Sequence, residues 1–128
     1  MSLEIDKLLI ERLFEQAKES PRLRMNYDLR TSSADTSQRM LNALQPGTEV
    51  PIHRHEDTAE TVVCLYGRLE EMIYEEISDG TFQEVSRHLL CPSEEKYGIQ
   101  IPAGAWHTIQ VLEPSVIFEV KDGAFVPR

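Results

Sequence analysis

The feature that most constrains this chain is a pair of histidines, His53 and His55, set within a fixed frame of glycines and one acid. The frame runs Gly47, five residues, His53-x-His55, four residues, Glu60, six residues and Gly67. Side chains two positions apart on a β-strand leave the same face about 6–7 Å apart, so a curved strand can bring two imidazoles to one ion. The spacing therefore predicts a metal site built on a strand.

Glu60 is the third candidate ligand. It lies five residues after His55, an odd number, so an uninterrupted strand would turn its carboxylate to the opposite face. The polar stretch 56–59 has low strand propensity and predicts a turn or bulge that corrects the parity. A fourth ligand must come from further along the chain. We expect His107 to supply it, because His107 follows the turn at Pro102-Ala103-Gly104 and opens an alternating apolar run.

Three imidazoles and one carboxylate predict one divalent transition metal ion, with Fe, Mn, Ni, Co and Zn all compatible with the donor set. Four protein ligands would close a tetrahedral zinc site, whereas an octahedral ion would keep two positions for water, substrate or dioxygen. The alternative is that these are ordinary hydrogen-bonded histidines. It is disfavoured because three of the four histidines of the chain fall in the pattern. The fourth, His88, is interpreted as a solvated or hydrogen-bonded strand residue.

Hydrophobic periodicity predicts one N-terminal helix followed by short strands. The helix spans 6–20, with Asp6 as N-cap, Ile5 packing on Ile10, and an apolar stripe of Leu8, Leu9, Leu13, Phe14 and Ala17. The strands are predicted at 39–44, 49–55, 61–66, 69–76, 81–89, 98–101, 107–112 and 115–121. About eight short strands with Gly and Pro turns favour an all-β closed or double-sheet barrel. We expect one domain, 1–128, with the helix and an arm at 1–38 and the barrel at 39–128.

From Gly47 to Gly67 the chain resembles the cupin superfamily and matches its first motif in full. Pro102, Gly104 and His107 keep the core of the second motif, whereas Lys96 and Val111 stand where that motif has glycine and asparagine. Neither missing residue supplies a metal donor. The resemblance implies a cupin-like double-stranded β-helix, or jelly-roll barrel, with an N-terminal α-helix and a metal held by His53, His55, Glu60 and His107.

Three segments are more narrowly similar to the WbuC-type cupin-fold metalloproteins: Ser20 to Asn26, Gln38 to Thr48 and Phe118 to Lys121. This resemblance implies a small bacterial protein of surface-polysaccharide (O-antigen) biosynthesis, with a bound metal and a homodimeric assembly.

Charge restricts the partners. Thirteen basic against 22 acidic residues give a net charge of −9, which disfavours a nucleic-acid partner. No apolar run has the length of a membrane span, and Glu4 and Asp6 occupy the region where a signal peptide is basic. We therefore expect a cytoplasmic protein without a membrane partner, in which Cys64 and Cys91 are reduced thiols.

Three residues outside the ligand set are candidate ligand-binding residues. Arg24 and Asn26 lie in a locally basic segment, 22–39, and could grip a phosphate or carboxylate at the barrel mouth. A solvated segment paired with nearby acids is the favoured alternative. Cys64 shares strand parity with Glu60 and would line the cavity, although a buried apolar role is favoured for a free cysteine. The same parity predicts that Ile109 and Val111 form an apolar wall beside His107.

Three functions fit these features. The first is a metalloenzyme of the isomerase, epimerase or dioxygenase kind, acting on a small polar molecule such as a sugar or an anionic sugar derivative. The second is a non-catalytic, metal-dependent module that binds or senses a small ligand. The third is a structural role with a closed zinc site. No catalytic acid or base can be assigned, and Tyr27, Glu119 and Cys64 are weak candidates.

Overall fold

The computed structural model describes residues 2–124. This part of the chain contains one helix and six strands. Their bounds are α1 Lys7–Glu19, β1 Arg24–Asp28, β2 Ser37–Leu44, β3 Glu60–Ser78, β4 Thr81–Leu90, β5 Gly98–Ile101 and β6 Trp106–Asp122, with a short 3₁₀-helix at Pro92–Glu94. All pairings are antiparallel, and the strand order is β1-β2-β6-β3-β4, with β5 also pairing with β3. The predicted all-β class with an N-terminal helix is confirmed.

The two long strands, β3 and β6, form the spine of the fold. The first half of β3 pairs with β5 and with the second half of β6, and the second half of β3 pairs with β4 and the first half of β6. The sequence predicted four shorter strands here, divided at Gly67 and Pro114, and this division is wrong. Both strands continue because the pairing absorbs the two breaks as a series of register shifts between Cys64 and Leu69.

Ser115 stabilises this irregular region. Its hydroxyl accepts a hydrogen bond from the Arg68 backbone N–H at 3.0 Å and donates one to the Glu113 carbonyl at 2.8 Å. Pro114 has no N–H and cannot donate a hydrogen bond between the strands. The bonds of Ser115 satisfy backbone groups near this gap in the pairing. The side chain is fully buried, so the bonds also satisfy its own hydroxyl.

The predicted strand at 49–55 is wrong. The segment makes only one isolated bridge, between His53 and His107. Pro51 lies at its centre, and its ring removes a backbone donor that a continuous ladder would need. Backbone hydrogen bonds between His53 and His107, and a hydrogen bond from the Thr108 hydroxyl to the Val50 carbonyl, join this segment to the first residues of β6.

Strand β1 was not predicted. We expected these residues in an arm, yet they pair with β2 in a regular register from Arg24↔Leu44 to Asp28↔Met40. Met25 and Tyr27 face the helix cluster, while Arg24, Asn26 and Asp28 face a cavity on the other side. The alternation was present in the sequence, but β1 has only two apolar residues, and it contains Asn26 and Asp28, whose residue types are depleted in strands.

The helix is confirmed and begins as predicted, because the Asp6 side chain accepts a hydrogen bond from the Leu9 N–H at 3.0 Å. Its buried residues are Leu9, Leu13 and Ala17, spaced four apart. Leu8, which was predicted to lie in the apolar stripe, is 75% exposed. That part of the prediction is wrong, because Leu8 lies one residue off the face that meets the sheet.

Two apolar clusters lie on opposite faces of the β2 and β6 pair. The outer cluster joins the helix to the sheet and consists of Leu9, Leu13, Ala17, Leu41, Ala43 and Val116. The inner cluster forms the base of the barrel and consists of Leu44, Val62, Cys64, Leu69, Leu90, Ile101, Val111 and Ile117. Above this base the inward-facing residues become polar, which leaves space for a site. Among the described residues, no helix has the length and apolarity to cross a membrane.

Candidate metal centre

Backbone hydrogen bonds bring the two histidine segments together. The His53 N–H donates to the His107 carbonyl at 3.0 Å, and the His107 N–H donates to the His53 carbonyl at 2.8 Å. The Gly104 N–H also donates to the His55 carbonyl at 2.8 Å, and Gly104 has a φ of +82° that suits glycine in this turn. The turn at Pro102-Ala103-Gly104 therefore fixes His107 opposite the His53-x-His55 pair.

The three imidazoles converge on one point. One ring nitrogen from each of His53, His55 and His107 lies within 4.8 Å of the other two. The ring centroids are 5.2 Å apart for His53 and His55, 4.3 Å for His53 and His107, and 5.6 Å for His55 and His107. His107 is buried and the other two are half-buried, so the group lies inside the barrel with one side open to the cavity.

Glu60 joins this group as the first residue of β3. Residues 56–59 form no strand, so the predicted break in parity is present and the carboxylate turns inward. Its Oε2 lies 3.1 Å from His55 Nε2 and 3.4 Å from His107 Nε2. Burial would raise the pKa of Glu60, but the two imidazoles and the charge of Lys121 outweigh burial and lower it. A metal ion held here would bind the ionised form of this carboxyl group.

Two buried atoms of this group lack hydrogen bonds. His55 Nε2 lies 3.1 Å and His107 Nε2 lies 3.4 Å from Glu60 Oε2, but neither contact has the geometry of a hydrogen bond, so His55 Nε2 and Glu60 Oε2 have no hydrogen-bond partner within residues 2–124. Buried polar groups are normally satisfied, so two such atoms beside two further imidazoles fit a shared cation. The residues present therefore fit a divalent metal ion.

The other ring nitrogens of two histidines are already engaged. His53 Nδ1 lies 2.9 Å from the Pro51 carbonyl oxygen, and His107 Nδ1 lies 2.9 Å from the Ala105 carbonyl oxygen. A carbonyl only accepts, so each Nδ1 carries the proton and donates it, which leaves the Nε2 lone pair for a metal. This arrangement is typical of metal-binding histidines, whose second nitrogen usually donates to a neighbouring oxygen.

A cavity of about 1190 Å³ opens beside the group. Arg24 and Asn26 both lie in its wall, as the anion-binding hypothesis requires. The Arg24 guanidinium donates to the Glu49 carbonyl at 2.7 Å, and the Asn26 amide donates to Asn42 Oδ1 at 3.1 Å. The structure thus brings these two residues to the same cavity as the four predicted ligands.

Cys64 lies elsewhere. It shares the inward face of β3 with Glu60 but is part of the inner apolar cluster, and the cavity lining does not include it. Cys64 is 3% exposed, its thiol donates to the Tyr66 carbonyl at 3.4 Å, and burial raises the pKa of the thiol to about 11. The expectation that Cys64 lines the cavity is therefore corrected, because the barrel fills with apolar side chains below Glu60.

Some of the other residues singled out in the sequence line the cavity, and others lie outside it. Glu119 and Ile109 line the cavity, whereas Val111 packs in the inner cluster below it. Tyr27 packs against the helix cluster on the outer face, so it lies on the wrong side of the sheet to serve the cavity. His88 is exposed on β4 and contacts Ser86 Oγ at 3.0 Å.

Several cavity residues were not found from the sequence, notably Glu71, Asn42, Gln38 and Trp106. Glu71 had the clearest signal. It stands between Leu69 and Ile73 on the inward face of a predicted strand, where an acid interrupts an apolar alternation. The Trp106 ring packs on Phe82 with centroids 4.8 Å apart and lies 4.6 Å from the Arg54 guanidinium, which places an aromatic ring at the cavity mouth.

The chain is similar to one protein family and to several solved structures. A family model described as a domain of unknown function (DUF6016) matches residues 5–87, more than half of the chain. No curated protein matches the sequence significantly. Among solved structures, TT1209 from Thermus thermophilus is similar at 25% identity with a TM-score of 0.63, over 94% of this chain and 98% of that one.

Two further solved structures are similar to this chain. KdgF from Halomonas sp. is 15% identical with a TM-score of 0.62, over 82% of this chain and 83% of that one. The capsular polysaccharide assembling protein CapF from Staphylococcus aureus is 20% identical with a TM-score of 0.62, over 84% of this chain and 30% of that one. These are cupin-fold proteins, so the predicted cupin-like fold with an N-terminal helix is confirmed.

Proposed function

We propose that this chain, which belongs to the DUF6016 family of domains of unknown function, is a mononuclear metal-dependent enzyme acting on a small polar substrate. One observation carries the proposal: three imidazoles and the carboxyl group of Glu60 meet in one place, and two buried atoms there have no hydrogen bond within the described residues. His53, His55, Glu60 and His107 would hold the ion. A divalent ion there supplies Lewis-acid polarisation of bound oxygen atoms.

The open cavity supports a role in binding and chemistry over a purely structural one. A bracing metal site is normally closed by its protein ligands, whereas this group faces a cavity large enough for a sugar or a sugar nucleotide. Glu60 acts as a ligand in this scheme. It therefore does not serve as a free base.

The substrate carries an anionic group. The cavity wall formed by β1 presents Arg24 and Asn26, and the guanidinium geometry suits phosphate and carboxylate oxygens. The hydrogen bonds of Arg24 to the Thr48 hydroxyl and the Glu49 carbonyl hold its side chain in place at this wall. Such positioning lowers the entropy that the arginine loses when a ligand binds.

The biological setting we propose is surface-polysaccharide (O-antigen) metabolism in the cytoplasm. It rests on the resemblance of three segments of this sequence to the WbuC-type proteins, and it agrees with a neighbour named as a capsular polysaccharide assembling protein. The same resemblance leads us to propose a single-domain homodimer. Sedimentation of the purified protein at several concentrations tests this assembly.

Mn²⁺ binding followed by water-proton relaxation tests the metal proposal. We expect one Mn²⁺ per chain, with enhanced relaxation because an open coordination position exchanges water. His55→Ala should abolish the enhancement, and His88→Ala, a change at an exposed histidine on β4, should leave it intact. A bound ion without water exchange would favour the structural role, and a protein that binds no Mn²⁺ at all would contradict the proposal.

Arg24→Ala tests the anionic substrate. With glucose 1-phosphate as the probe, we expect the Kd of the metal-loaded protein to rise about tenfold, because a charge-assisted hydrogen bond is lost. Arg87→Ala is the matched control, since Arg87 lies on β4 and pairs with Glu84. Equal affinity of the two variants would refute the role of Arg24.

A further inference from the structure

The metal scheme gives no role to Glu71, a fully buried carboxyl in the cavity wall. Glu71 lies on β3, is 2% exposed and lines the same cavity as the histidines. Its Oε2 has no hydrogen-bond partner within the part of the chain that the structure describes. Its inward-facing neighbours along the strand, Leu69 and Ile73, are apolar, so packing alone would favour an apolar residue here.

Strand register places Glu71 beside the proposed ligands. Its Cα partner across the β3–β6 pair is Ile109, two residues beyond His107 on the same face of β6. Side chains related in this diagonal way have Cα atoms about 7–8 Å apart, which is within the reach of a long side chain. A small molecule held at His107 would therefore lie within reach of the Glu71 carboxyl.

Glu119 occupies the equivalent diagonal position on the other wall. Its Cα partner is Val62, two residues beyond Glu60 on the same face of β3. Glu119 lies beside the Asn42 side chain, which lowers its pKa against the effect of burial. The two carboxyls thus flank the histidine group, and of these two only Glu71 has a buried oxygen without a partner among the described residues.

We propose that Glu71 is a ligand-selecting residue that hydrogen-bonds a hydroxyl or amine group of the molecule bound at the metal. The inference rests on the proposed function and narrows its substrate class to molecules with a hydrogen-bonding hydroxyl or amine next to their metal-binding oxygen, as in a hydroxy acid or a sugar with neighbouring oxygens. A ligand of this kind satisfies the buried Oε2, which the protein leaves open.

The direction in which the cavity shifts the pKa of Glu71 suits this role. Burial, together with the like charges of Glu60 and Glu119, raises its pKa well above the usual value. A neutral carboxyl can both donate and accept a hydrogen bond, and it does not repel an anionic ligand. The cavity can therefore hold a negatively charged molecule although the carboxyl groups of Glu60, Glu71 and Glu119 all face it.

A pair of matched ligands tests the proposal. Lactate and its methyl ether, 2-methoxypropanoate, present the same carboxylate and a neighbouring oxygen, but only lactate has a hydroxyl hydrogen to donate. Both would be titrated into the Co²⁺-loaded protein and followed by the visible spectrum of the ion. We expect the wild-type protein to bind lactate about tenfold more tightly than the ether, as one buried hydrogen bond allows.

The protein variants complete the comparison. Glu71→Met should reduce the preference for lactate to less than about threefold, and Glu71→Gln, which can still accept a hydrogen bond, should keep an intermediate preference. Glu70→Met is the control, because Glu70 lies on the opposite face of β3 and contacts Arg87. Glu71→Met should also raise the Tm, because it removes a buried polar group that has no partner.

The outcomes separate this inference from the metal site. Co²⁺ binding with an unchanged preference for lactate in Glu71→Met overturns the role of Glu71 and leaves the metal proposal standing. Failure of the Co²⁺-loaded protein to bind either acid also overturns the role of Glu71. Failure of Co²⁺ to bind at all overturns both proposals.

Discussion

At the scale of single residues, Gly67 is the position that the backbone restricts most. Its φ is +105°, and a Cβ atom there would lie 2.4 Å from the Pro114 carbonyl oxygen and 2.4 Å from Ser115 Oγ. The conformation is strained for any other residue, and the close strand approach leaves no volume for a side chain. Gly67 therefore allows β3 and β6 to stay paired across Pro114.

Gly67→Ala should lower the free energy of unfolding by about 2–5 kcal/mol, because it adds backbone strain to a steric clash. Gly80→Ala is the control. Gly80 also has a positive φ, +74°, but a Cβ atom there meets nothing within 4 Å, so only about 1–2 kcal/mol should be lost. Urea unfolding of both variants measures the difference. Equal losses would show that the close approach at Gly67 is unimportant.

The residues of the site could be predicted from sequence only where their spacing carried information. His53, His55, Glu60 and His107 fall in a short pattern, and the structure brings all four together. Strand parity correctly predicted that Cys64 faces the interior of the barrel. It could not predict that the cavity ends above Cys64, because parity says nothing about how far the cavity extends along the strand. The side chains of the opposite wall, such as Asn42, depend on long-range pairing that no local pattern reveals.

At the scale of elements, the helix owes its stability to docking on the sheet. Leu13 is 1% exposed and packs in the outer cluster, while Leu8, five residues earlier, is 75% exposed. A helix of 13 residues is marginal on its own, so the packed face has to supply most of the stabilisation.

Leu13→Ala should cost about 2–5 kcal/mol of unfolding free energy, because it leaves a cavity in the outer cluster. Leu8→Ala removes the same atoms from an exposed site and should change stability by no more than about 0.5 kcal/mol. Thermal or urea unfolding distinguishes the two. A small effect of Leu13→Ala would mean that the helix is not an integral part of the fold.

Strand bounds were predicted correctly where the local sequence signals agree with the strand pairing in the structure. The bounds of β5, 98–101, were predicted as the structure has them, and β4 differs by one residue at its end. The breaks expected at Gly67 and Pro114 were wrong because a partner strand absorbed both irregularities. Pro51 ended the expected strand at 49–55, although Pro114 did not end β6, and only the pairing partners distinguish these two cases.

At the scale of the whole molecule, the metal-free barrel holds the buried Glu71 and the half-buried Glu119, two acids that should make its stability depend on pH. Burial, followed by the charge of Glu60, raises the pKa of Glu119 to about 7, and the pKa of Glu71 is raised as well. Since both folded-state values exceed those of the unfolded chain, the folded state binds more protons. The stability that Glu119 contributes is complete below about pH 4.5 and is lost as the pH rises through about 7, and the contribution of Glu71 changes in the same direction.

Metal-free wild-type protein should therefore lose stability relative to Glu119→Gln as the pH rises from about 5 to about 8. The neutral glutamine cannot ionise, so the difference between the two proteins reports the ionisation of Glu119 together with its effect on the pKa of Glu71. Urea unfolding at a series of pH values measures it. Parallel stability curves for the two proteins would contradict the assigned environment of Glu119.

Elemental analysis of the intact protein, purified without chelators, tests the central claim most directly. We predict about one divalent transition metal ion per chain in the wild type and in His88→Ala, and loss of that ion in the folded His53→Ala/His107→Ala double variant. A wild-type protein without a stoichiometric ion, or a double variant that retains it, would contradict the assignment of this site.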